Sequence, residues 1–317
     1  MKYIETLREG DHISEVYLCK QKQTYMTKAG KPYDSVLLQD RTGMLDAKIW
    51  EVGSPGIEEF NALDYVYVTG DITSFQGKLQ MSIKRARRVE DAGIDPTDYL
   101  PVSERDIPQM YTQILVYIDG MKSPHLKELA KSFFADPEFA KRFQEHSAAK
   151  MVHHGFVGGL VEHTLNVTQT CDFFCTQYPM LNRDLLLTAA LFHDIGKLSE
   201  LSDFPQNDYT DDGQLIGHIV LGAMQVRDHI EAIPDFPERT ASELIHCILA
   251  HHGEMEFGSP KKPALMEAVA LSFADNADAK LETMKEALSA VPEGNTQWLG
   301  YNRLMESNIR RTGKTED

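Results

Sequence analysis

The sequence is poor in cysteine and has no long apolar run. Its four cysteines form no Cys-x-x-Cys pair, so we expect neither a disulfide framework nor a zinc ribbon. Cys171 and Cys175 lie four residues apart, a spacing that half of a metal site would also show, but reduced thiols packed in a core are favoured. No apolar run approaches the roughly 20 residues of a membrane span, and the N-terminus has no apolar signal core. We therefore expect a cytoplasmic protein that does not act in a membrane.

Basic residues are also scarce, and the scarcity is uneven. The 317 residues have a formal net charge of −16. Residues 1–95 carry 13 Lys and Arg against 15 Asp and Glu, whereas the other 222 carry 19 against 33. So negative a field opposes non-specific binding of nucleic acid to the C-terminal part. A polyanionic partner must therefore be held by local basic patches or by bound cations.

The length predicts two domains, and the first has the alternation typical of β-strands. Val, Ile, Tyr and Leu recur at every second position, and turn residues separate the runs. The runs predict strands at 12–20, 33–40, 45–51, 65–72 and 78–89. Five such strands predict a small all-β barrel of the OB-fold type over residues 1–92. The polar, Pro- and Gly-containing segment 93–102 is predicted to be a linker.

One segment of this barrel resembles the tRNA-anticodon-binding subclass of OB-folds. A Leu-x-Asp-x-x-Gly-x-x-x-Ala-x-x-Trp pattern runs from Leu38 to Trp50. Such barrels bind single strands by stacking bases on aromatic side chains beside Lys and Arg. The candidate strand-binding residues are Tyr33, Lys48, Trp50, Phe75 and Arg85. Trp50 could equally belong to the core, and the basic run 84–88 around Arg85 could equally be a solvated strand edge.

Residues 103–317 show the helical periodicity of an all-α domain. Helices are predicted near 105–119, 124–134, 137–147, 159–178, 183–194, 216–232, 238–251, 263–289 and 296–309. The apolar run 185–192 ends in His193 and Asp194. A carboxylate beside apolar packing is costly unless positive charge compensates it, and a divalent cation is the usual compensator.

Histidine and aspartate recur along residues 150–280 in an ordered set. The candidate metal ligands are His163, His193, Asp194, His218, His251 and Asp275. Their order, His … His-Asp … His … His-His … Asp, resembles that of the HD-domain metal-dependent phosphohydrolases. One ion could take His163, His193, Asp194 and Asp275, and a second could share Asp194 with His218 and His251. Two ions would suit displacement at a phosphoester, and imidazole-rich sites favour Mn, Fe, Co or Zn over Mg.

Further polar residues flank these ligands. Lys197 is expected to face a metal-bound phosphate and, together with Asp194 and His252, to act in catalysis, although a cation at a helix end is the alternative for Lys197. His252 could be a ligand, support a ligand or face the substrate, and Asp278 could support a ligand. His153 and His154 could line the pocket or face solvent. His154, Lys261 and Lys262 are the substrate-binding candidates of this domain.

The pairing of the two domains narrows the family. Together with segments 154–164, 191–197, 217–218 and 249–253, it resembles the YhaM-type 3′–5′ exoribonucleases across nearly the whole chain. The resemblance implies an enzyme that uses a divalent metal, with Mn²⁺ as the first candidate. This enzyme would remove 5′-nucleotides from the 3′ end of single-stranded RNA and to some extent of single-stranded DNA. The resemblance does not decide whether the chain forms a homo-oligomer.

Three alternatives belong to other classes. The first is an HD phosphohydrolase of small nucleotides with a regulatory barrel. The second is a cyclic-dinucleotide phosphodiesterase, which is disfavoured because Gly253 and Glu254 follow His252 where a Gly-Tyr-Pro element is expected. The third is a binding protein with a structural metal, which a ligand set with spare coordination positions argues against.

Overall fold

The structure is a computed structural model that describes residues 1–90, 94–150, 154–289, 291–292 and 294–313. The chain divides into two compact units, one of Met1–Val102 with Phe204–Gln206 and the other of Ser103–Asp203 with the chain from Asn207 onward. Gly93, where the predicted linker begins, lies outside the described residues. Among the described residues, no helix has both the length and the apolar character needed to cross a membrane.

The first unit is a closed five-stranded barrel. Its strands are β1 (His12–Met26), β2 (Pro32–Asp40), β3 (Gly43–Ile49), β4 (Tyr65–Phe75) and β5 (Lys78–Arg88). They neighbour one another in the order β1-β2-β3-β5-β4 and close back onto β1. Only β3 and β5 pair in parallel. The predicted OB-fold is confirmed.

Strand β1 extends six residues beyond its predicted end at Lys20. Its first half pairs with β4 and its second half with β2, with a register shift between Cys19 and Gln21. An extra residue at such a shift bends a strand and increases its twist. One long, bent strand therefore serves two neighbours and helps to close the barrel.

The second unit is helical. Its helices are α1 (Ile107–Asp119), α2 (Pro124–Phe134), α3 (Pro137–Glu145), α4 (Gly159–Gln177), α5 (Arg183–Phe192), α6 (Lys197–Glu200), α7 (Asp211–Leu215), α8 (His218–Glu231), α9 (Glu238–Ala250) and α10 (Met266–Ser289). Helix α5 lies at the centre, packed against α4, α9 and α10. Every α5 side chain from Leu185 to Phe192 is buried. The end of α5 therefore delivers His193 and Asp194 into the interior.

The helix predicted at 296–309 is wrong. This segment contains two short strands, β6 (Tyr301–Asn302) and β7 (Ser307–Asn308), paired as a hairpin. Gly300 has a φ of +91°, a conformation that interrupts a helix. The side chain of Asn302 accepts hydrogen bonds from the backbone N–H groups of Leu304 and Met305. This local turn chemistry prevails over the helical spacing of the apolar residues.

Candidate active site

The six candidate metal ligands converge although they come from five separate places in the helical unit. His163 lies in α4, His193 and Asp194 directly follow α5, His218 begins α8, His251 directly follows α9, and Asp275 lies in α10. Of these, His163, His193, Asp194 and His251 are at most 3% exposed. Imidazoles and carboxylates are rarely so buried unless they are paired with one another or with an ion.

Gly196 lets α8 approach the turn that follows α5. A Cβ at this position would overlap the backbone oxygen of His218 and the backbone nitrogen of Gly222. The absence of a side chain therefore allows His218 to lie near Asp194. This explains the glycine within the motif that ends in Lys197.

The first group of ligand atoms surrounds Nε2 of His163. This nitrogen is 3.1 Å from Nε2 of His193, 3.3 Å from Oδ2 of Asp194 and 3.2 Å from Oδ1 of Asp275. Two imidazole nitrogens that face each other among carboxylate oxygens require a proton or a metal ion between them. The group has the mixed nitrogen and oxygen donors of a divalent-metal site.

The second group surrounds the other oxygen of the same carboxylate. Oδ1 of Asp194 is 3.4 Å from Nε2 of His218 and 3.6 Å from Nε2 of His251. All three atoms are buried, and none has a hydrogen-bond partner among the described residues. Buried polar atoms are nearly always satisfied. These three orphaned atoms therefore fit a cation between them, and His252 offers a further ligand atom within the same cluster.

The opposite ring nitrogens fix how the four imidazoles are oriented. Each Nδ1 lies at hydrogen-bond distance from an oxygen: His163 from Asp278 (2.7 Å), His193 from the Ala190 carbonyl (2.8 Å), His218 from Glu200 (2.9 Å) and His251 from the Ile248 carbonyl (2.7 Å). Carbonyl and carboxylate oxygens only accept, so each Nδ1 carries the proton. Each Nε2 therefore faces the cluster around Asp194.

The pKa values of His163 in the first group and His251 in the second are shifted in opposite directions. Burial alone would lower the pKa of His163, but hydrogen bonds to Asp194, Asp275 and Asp278 raise it well above its usual value. Burial, with the neighbouring His252 and His193, instead holds the pKa of His251 well below its usual value. A proton on His163 can therefore stand in for the first cation, whereas His251 stays neutral and ready to bind one.

Lys197 contacts the same carboxylate. Its Nζ lies 2.7 Å from Oδ2 of Asp194. Burial alone would lower the pKa of Lys197, but Asp194 raises it, so the ammonium stays charged. Burial would likewise raise the pKa of Asp194, but Lys197 and the surrounding histidines hold it well below its usual value.

A cavity of about 240 Å³ opens onto these groups. It is lined by Ala148, Ala149, His154, His163, Asp194, Lys197, His252, Phe257, Asp275, Asn276 and Ala279. The predicted residues His154, Lys197 and His252 thus share one cavity. Lys261 and Lys262 are exposed and lie outside this lining, and Lys262 pairs with Glu254 at 2.7 Å. His153 lies outside the described residues.

Sequence reasoning missed several of the groups that shape the site. Glu200 carries no signal beyond its place three residues after Lys197, and Asn166 only shares the helix of His163. Alanines such as Ala148 and Ala149 line the cavity through their smallness, which no motif records. Asp278, in contrast, was predicted as a residue that could support a ligand, and it accepts a hydrogen bond from His163.

The barrel candidates lie at its surface. The rings of Tyr33 and Trp50 stack with centroids 5.1 Å apart, and Tyr25, which was not predicted, extends the strip at 5.9 Å from Tyr33. Trp50 is 50% exposed, so its alternative assignment to the core is wrong. Phe75 is also exposed.

The cationic candidates of the barrel differ in how their charge is used. Lys48 donates to Asp46 at 2.9 Å and to Ser35 at 2.7 Å, so its charge already has a partner. Arg85 is exposed and lines a groove beside Gly56 and Tyr67.

Comparison with known proteins places both units. Residues 160–280 match the HD domain. The chain is 32% identical over 286 residues to the 3′–5′ exoribonuclease YhaM of Geobacillus sp. (strain WCH70), covering 90% of this chain and 87% of that one. It is 33% identical over 294 residues to YhaM of Bacillus pumilus (strain SAFR-032), covering 92% and 93%. The chain belongs to the YhaM family of 3′–5′ exoribonucleases.

The solved structures that resemble the chain match a smaller part of it. The second OB-fold domain of replication protein A from Methanococcus maripaludis is 21% identical and covers 30% of this chain and 98% of that domain, with a TM-score of 0.22. A replication protein A heterotrimer bound to single-stranded DNA matches with 23% identity over 28% of this chain and 64% of that one, with a TM-score of 0.22.

The closed five-stranded barrel and the match of residues 160–280 to the HD domain confirm the predicted pairing of an OB-fold barrel with an HD domain. An HD domain implies dependence on a divalent metal. The donor set fits this implication, since clusters of His and Asp that could hold an ion occur around His163 and around His218. The orphaned Oδ1 of Asp194 points the same way.

Proposed function

We propose that this chain is a metal-dependent 3′–5′ exoribonuclease that hydrolyses the last phosphodiester of single-stranded RNA and releases 5′-nucleotides. The observation that carries the proposal is the carboxylate of Asp194, each of whose oxygens faces a different pair of imidazoles. Relatives that resemble the chain over nearly its whole length are named 3′–5′ exoribonucleases.

Two divalent ions are proposed for this site. His163, His193, Asp194 and Asp275 would hold the first, which we call position 1. Asp194, His218 and His251 would hold the second, position 2, where His252 is an additional candidate. When bound, such ions supply Lewis acidity and lower the pKa of a water, so that hydroxide would be available as the nucleophile near neutral pH. The resemblance to the family makes Mn²⁺ the first choice, and the mixed imidazole and carboxylate donors keep Fe, Co or Zn as alternatives.

Lys197 is proposed to stabilise the charge that develops on the phosphoryl oxygens. Its ammonium lies in the cavity beside Asp194 and keeps its proton. A preorganised cation at the place where negative charge develops in the transition state lowers the activation free energy of hydrolysis directly. A substrate phosphate would draw this ammonium partly away from Asp194.

The cavity is proposed to accept the terminal nucleotide. Three alanines and the ring of Phe257 form an apolar wall, and Phe257 is 62% exposed. An exposed ring beside a phosphate-binding centre can stack against a base of any identity. The wall would therefore tolerate all four bases, as the removal of successive nucleotides from an RNA of any sequence requires.

The barrel is proposed to hold the strand upstream of its 3′ end. The strip of Tyr25, Tyr33 and Trp50 offers stacking surfaces, and Arg85 offers a phosphate contact. A second binding module on the same chain raises the effective concentration of the substrate. Single-stranded DNA is a further expected substrate; a cytoplasmic location and a homo-oligomeric state stay predictions.

Incubation with RNA labelled at its 5′ end tests this function. With Mn²⁺, the labelled products should form a ladder that shortens from the 3′ end, and a chelator should stop the reaction. Internal fragments that appear without a ladder would contradict the exonuclease assignment.

A second candidate function is hydrolysis of small nucleotides with the barrel in a regulatory role. The cavity of about 240 Å³ would accept a free mononucleotide as well as the terminal nucleotide of a strand. Competition between a single-stranded oligonucleotide and mononucleotides separates the two. Preferred turnover of mononucleotides would support this second function.

A further inference from the structure

Two carboxylates outside the proposed ligand set contact two of the ligand imidazoles. Oδ2 of Asp278 accepts the Nδ1–H of His163 at 2.7 Å. Oε1 of Glu200 accepts the Nδ1–H of His218 at 2.9 Å. His163 belongs to position 1 and His218 to position 2. Each position therefore contains one imidazole that is backed by a carboxylate.

The second imidazole of each position is backed differently. His193 donates to the Ala190 carbonyl and His251 to the Ile248 carbonyl, each three residues earlier in the chain. These bonds follow from the helix that each residue ends. Asp278 and Glu200, in contrast, are side chains that come from other helices and bring a negative charge.

A carboxylate behind a ligand imidazole does two things. It fixes the tautomer and the ring orientation, and it makes the other nitrogen a better donor to the metal. We propose that Asp278 and Glu200 are positioning residues, and that each controls metal occupancy at one position, Asp278 at position 1 and Glu200 at position 2. This inference rests on the two-metal arrangement proposed above.

Asp278 is held in place from three sides. Its Oδ2 also lies 2.9 Å from Nε2 of His154, and its Oδ1 accepts a hydrogen bond from Asn166 at 2.9 Å. Asn166 lies three residues after His163 on α4, and Asp278 lies three residues after Asp275 on α10. The carboxylate is therefore fixed relative to α4 and α10, which supply His163 and Asp275 to position 1.

Two hydrogen bonds hold the carboxylate of Glu200, the last residue of α6, beside the first residue of α8. Its Oε1 accepts the backbone N–H of His218 at 3.0 Å as well as the ring Nδ1–H. A carboxylate at this place also favours the N-terminus of the helix. A glutamine would keep the oxygen and lose only the charge.

The test uses Asp278→Asn and Glu200→Gln, with Mn²⁺ titrated calorimetrically into the full-length chain in the absence of RNA. His163→Ala and His218→Ala identify which binding event belongs to which position. We expect two events in the wild type. Each carboxamide variant should weaken one event by about 10–100-fold, and the affected event should be the one that its histidine variant removes.

Asp184→Asn is the matched control. Asp184 accepts backbone hydrogen bonds from Lys122 and Ser123 at the opposite end of α5 from His193. Its variant should keep both binding events. Thermal melting in chelator checks that all variants are folded, and the Co²⁺ absorption spectrum of each variant shows whether the bound ions keep the coordination number and geometry of the wild type.

Three results would overturn the inference: unchanged affinities in both carboxamide variants, the same event weakened in both, or a wild type that binds a single ion. RNA degradation by the wild type is measured separately. A chain that shows the expected split in Mn²⁺ binding but leaves RNA intact would refute the ribonuclease proposal and keep this one.

Discussion

The barrel and the helical unit carry their candidate binding groups in opposite ways. In the barrel, Trp50 and Phe75 stand at the surface, and Lys48 is neutralised by Asp46. In the helical unit, Asp194 and the imidazoles around it are buried, and some of their polar atoms have no hydrogen-bond partner in the part of the chain that the structure describes. A surface strip can bind weakly and exchange its ligand, whereas a buried cluster of this kind is costly unless an ion completes it. The contrast is the reason why we propose that the barrel holds the strand and the helical unit performs the chemistry.

Removing Asp194 should break this division most strongly. Asp194→Ala takes one ligand from both metal positions at once. RNA hydrolysis should fall by about 10³-fold or more, beyond the loss from a single electrostatic group. Rates of shortening of a labelled RNA measure the effect.

The same variant should keep the function assigned to the barrel. Its affinity for single-stranded RNA, measured by fluorescence anisotropy in chelator, should match that of the wild type. If Asp194→Ala degraded RNA at the normal rate, the buried cluster would not be the catalytic centre.

Lys197→Ala should separate chemistry from metal binding within the helical unit. The loss of a cation that acts on transition-state charge should lower kcat by roughly 10²–10³-fold. Affinity for Mn²⁺ should not fall, because Lys197 competes with the ions for Asp194. A change in KM with an unchanged kcat would instead assign Lys197 to ground-state binding.

Removing an aromatic side chain from the barrel should affect binding and spare chemistry. Trp50→Ala or Tyr33→Ala should raise KM for a long RNA by about 5–150-fold, corresponding to about 1–3 kcal/mol per stacked base. The kcat should stay near that of the wild type. Phe173→Ala, which removes an exposed ring of the helical unit, is the control. Equal effects of Trp50→Ala and Phe173→Ala would remove the barrel from strand binding.

The sequence indicated which side chains of the helical unit converge better than which side chains of the barrel form a surface strip, and the reason is physical. An imidazole and a carboxylate directly after an apolar run, as at His193 and Asp194, have few roles other than binding a cation. The order of His and Asp in the HD-domain family then indicated the other candidate ligands. Trp50 comes directly after the end of β3, where strand alternation no longer decides which way a side chain points.

Other features were set by tertiary contacts that leave no local pattern. Glu200 reaches His218 across 18 residues of chain, and a lone glutamate has no spacing that reveals such a partner. The hairpin at 301–308 was missed because Gly300 and the Asn302 turn outweigh apolar spacing. Helix α5, in contrast, was predictable because every residue on its central turns is apolar or small.

The smallest predicted effect concerns what the two units share, which is a buried thiol in each core. Burial raises the pKa of Cys19 in the barrel and of Cys247 in the helical unit to about 12. The unfolded thiols ionise near pH 8.5, so this stability is complete below about that pH and is lost as the pH rises toward 12. Because each thiol ionises in the unfolded state and not in the folded one, it should lower the free energy of unfolding by about 1.4 kcal/mol per pH unit in that window.

Unfolding in denaturant at pH 7.5 and 9.5, with reductant present, measures this loss. Cys19→Ala should reduce the pH dependence of the barrel transition alone, and Cys247→Ala that of the helical transition alone. A pH dependence that neither variant changes would show that other groups cause it.

Anomalous diffraction from crystals soaked in Mn²⁺ tests the central claim most directly. The account predicts two manganese peaks, one bound by His163, His193 and Asp275 and the other by His218 and His251, with the two oxygens of Asp194 divided between them. A single peak, or peaks that do not contact Asp194, would contradict it.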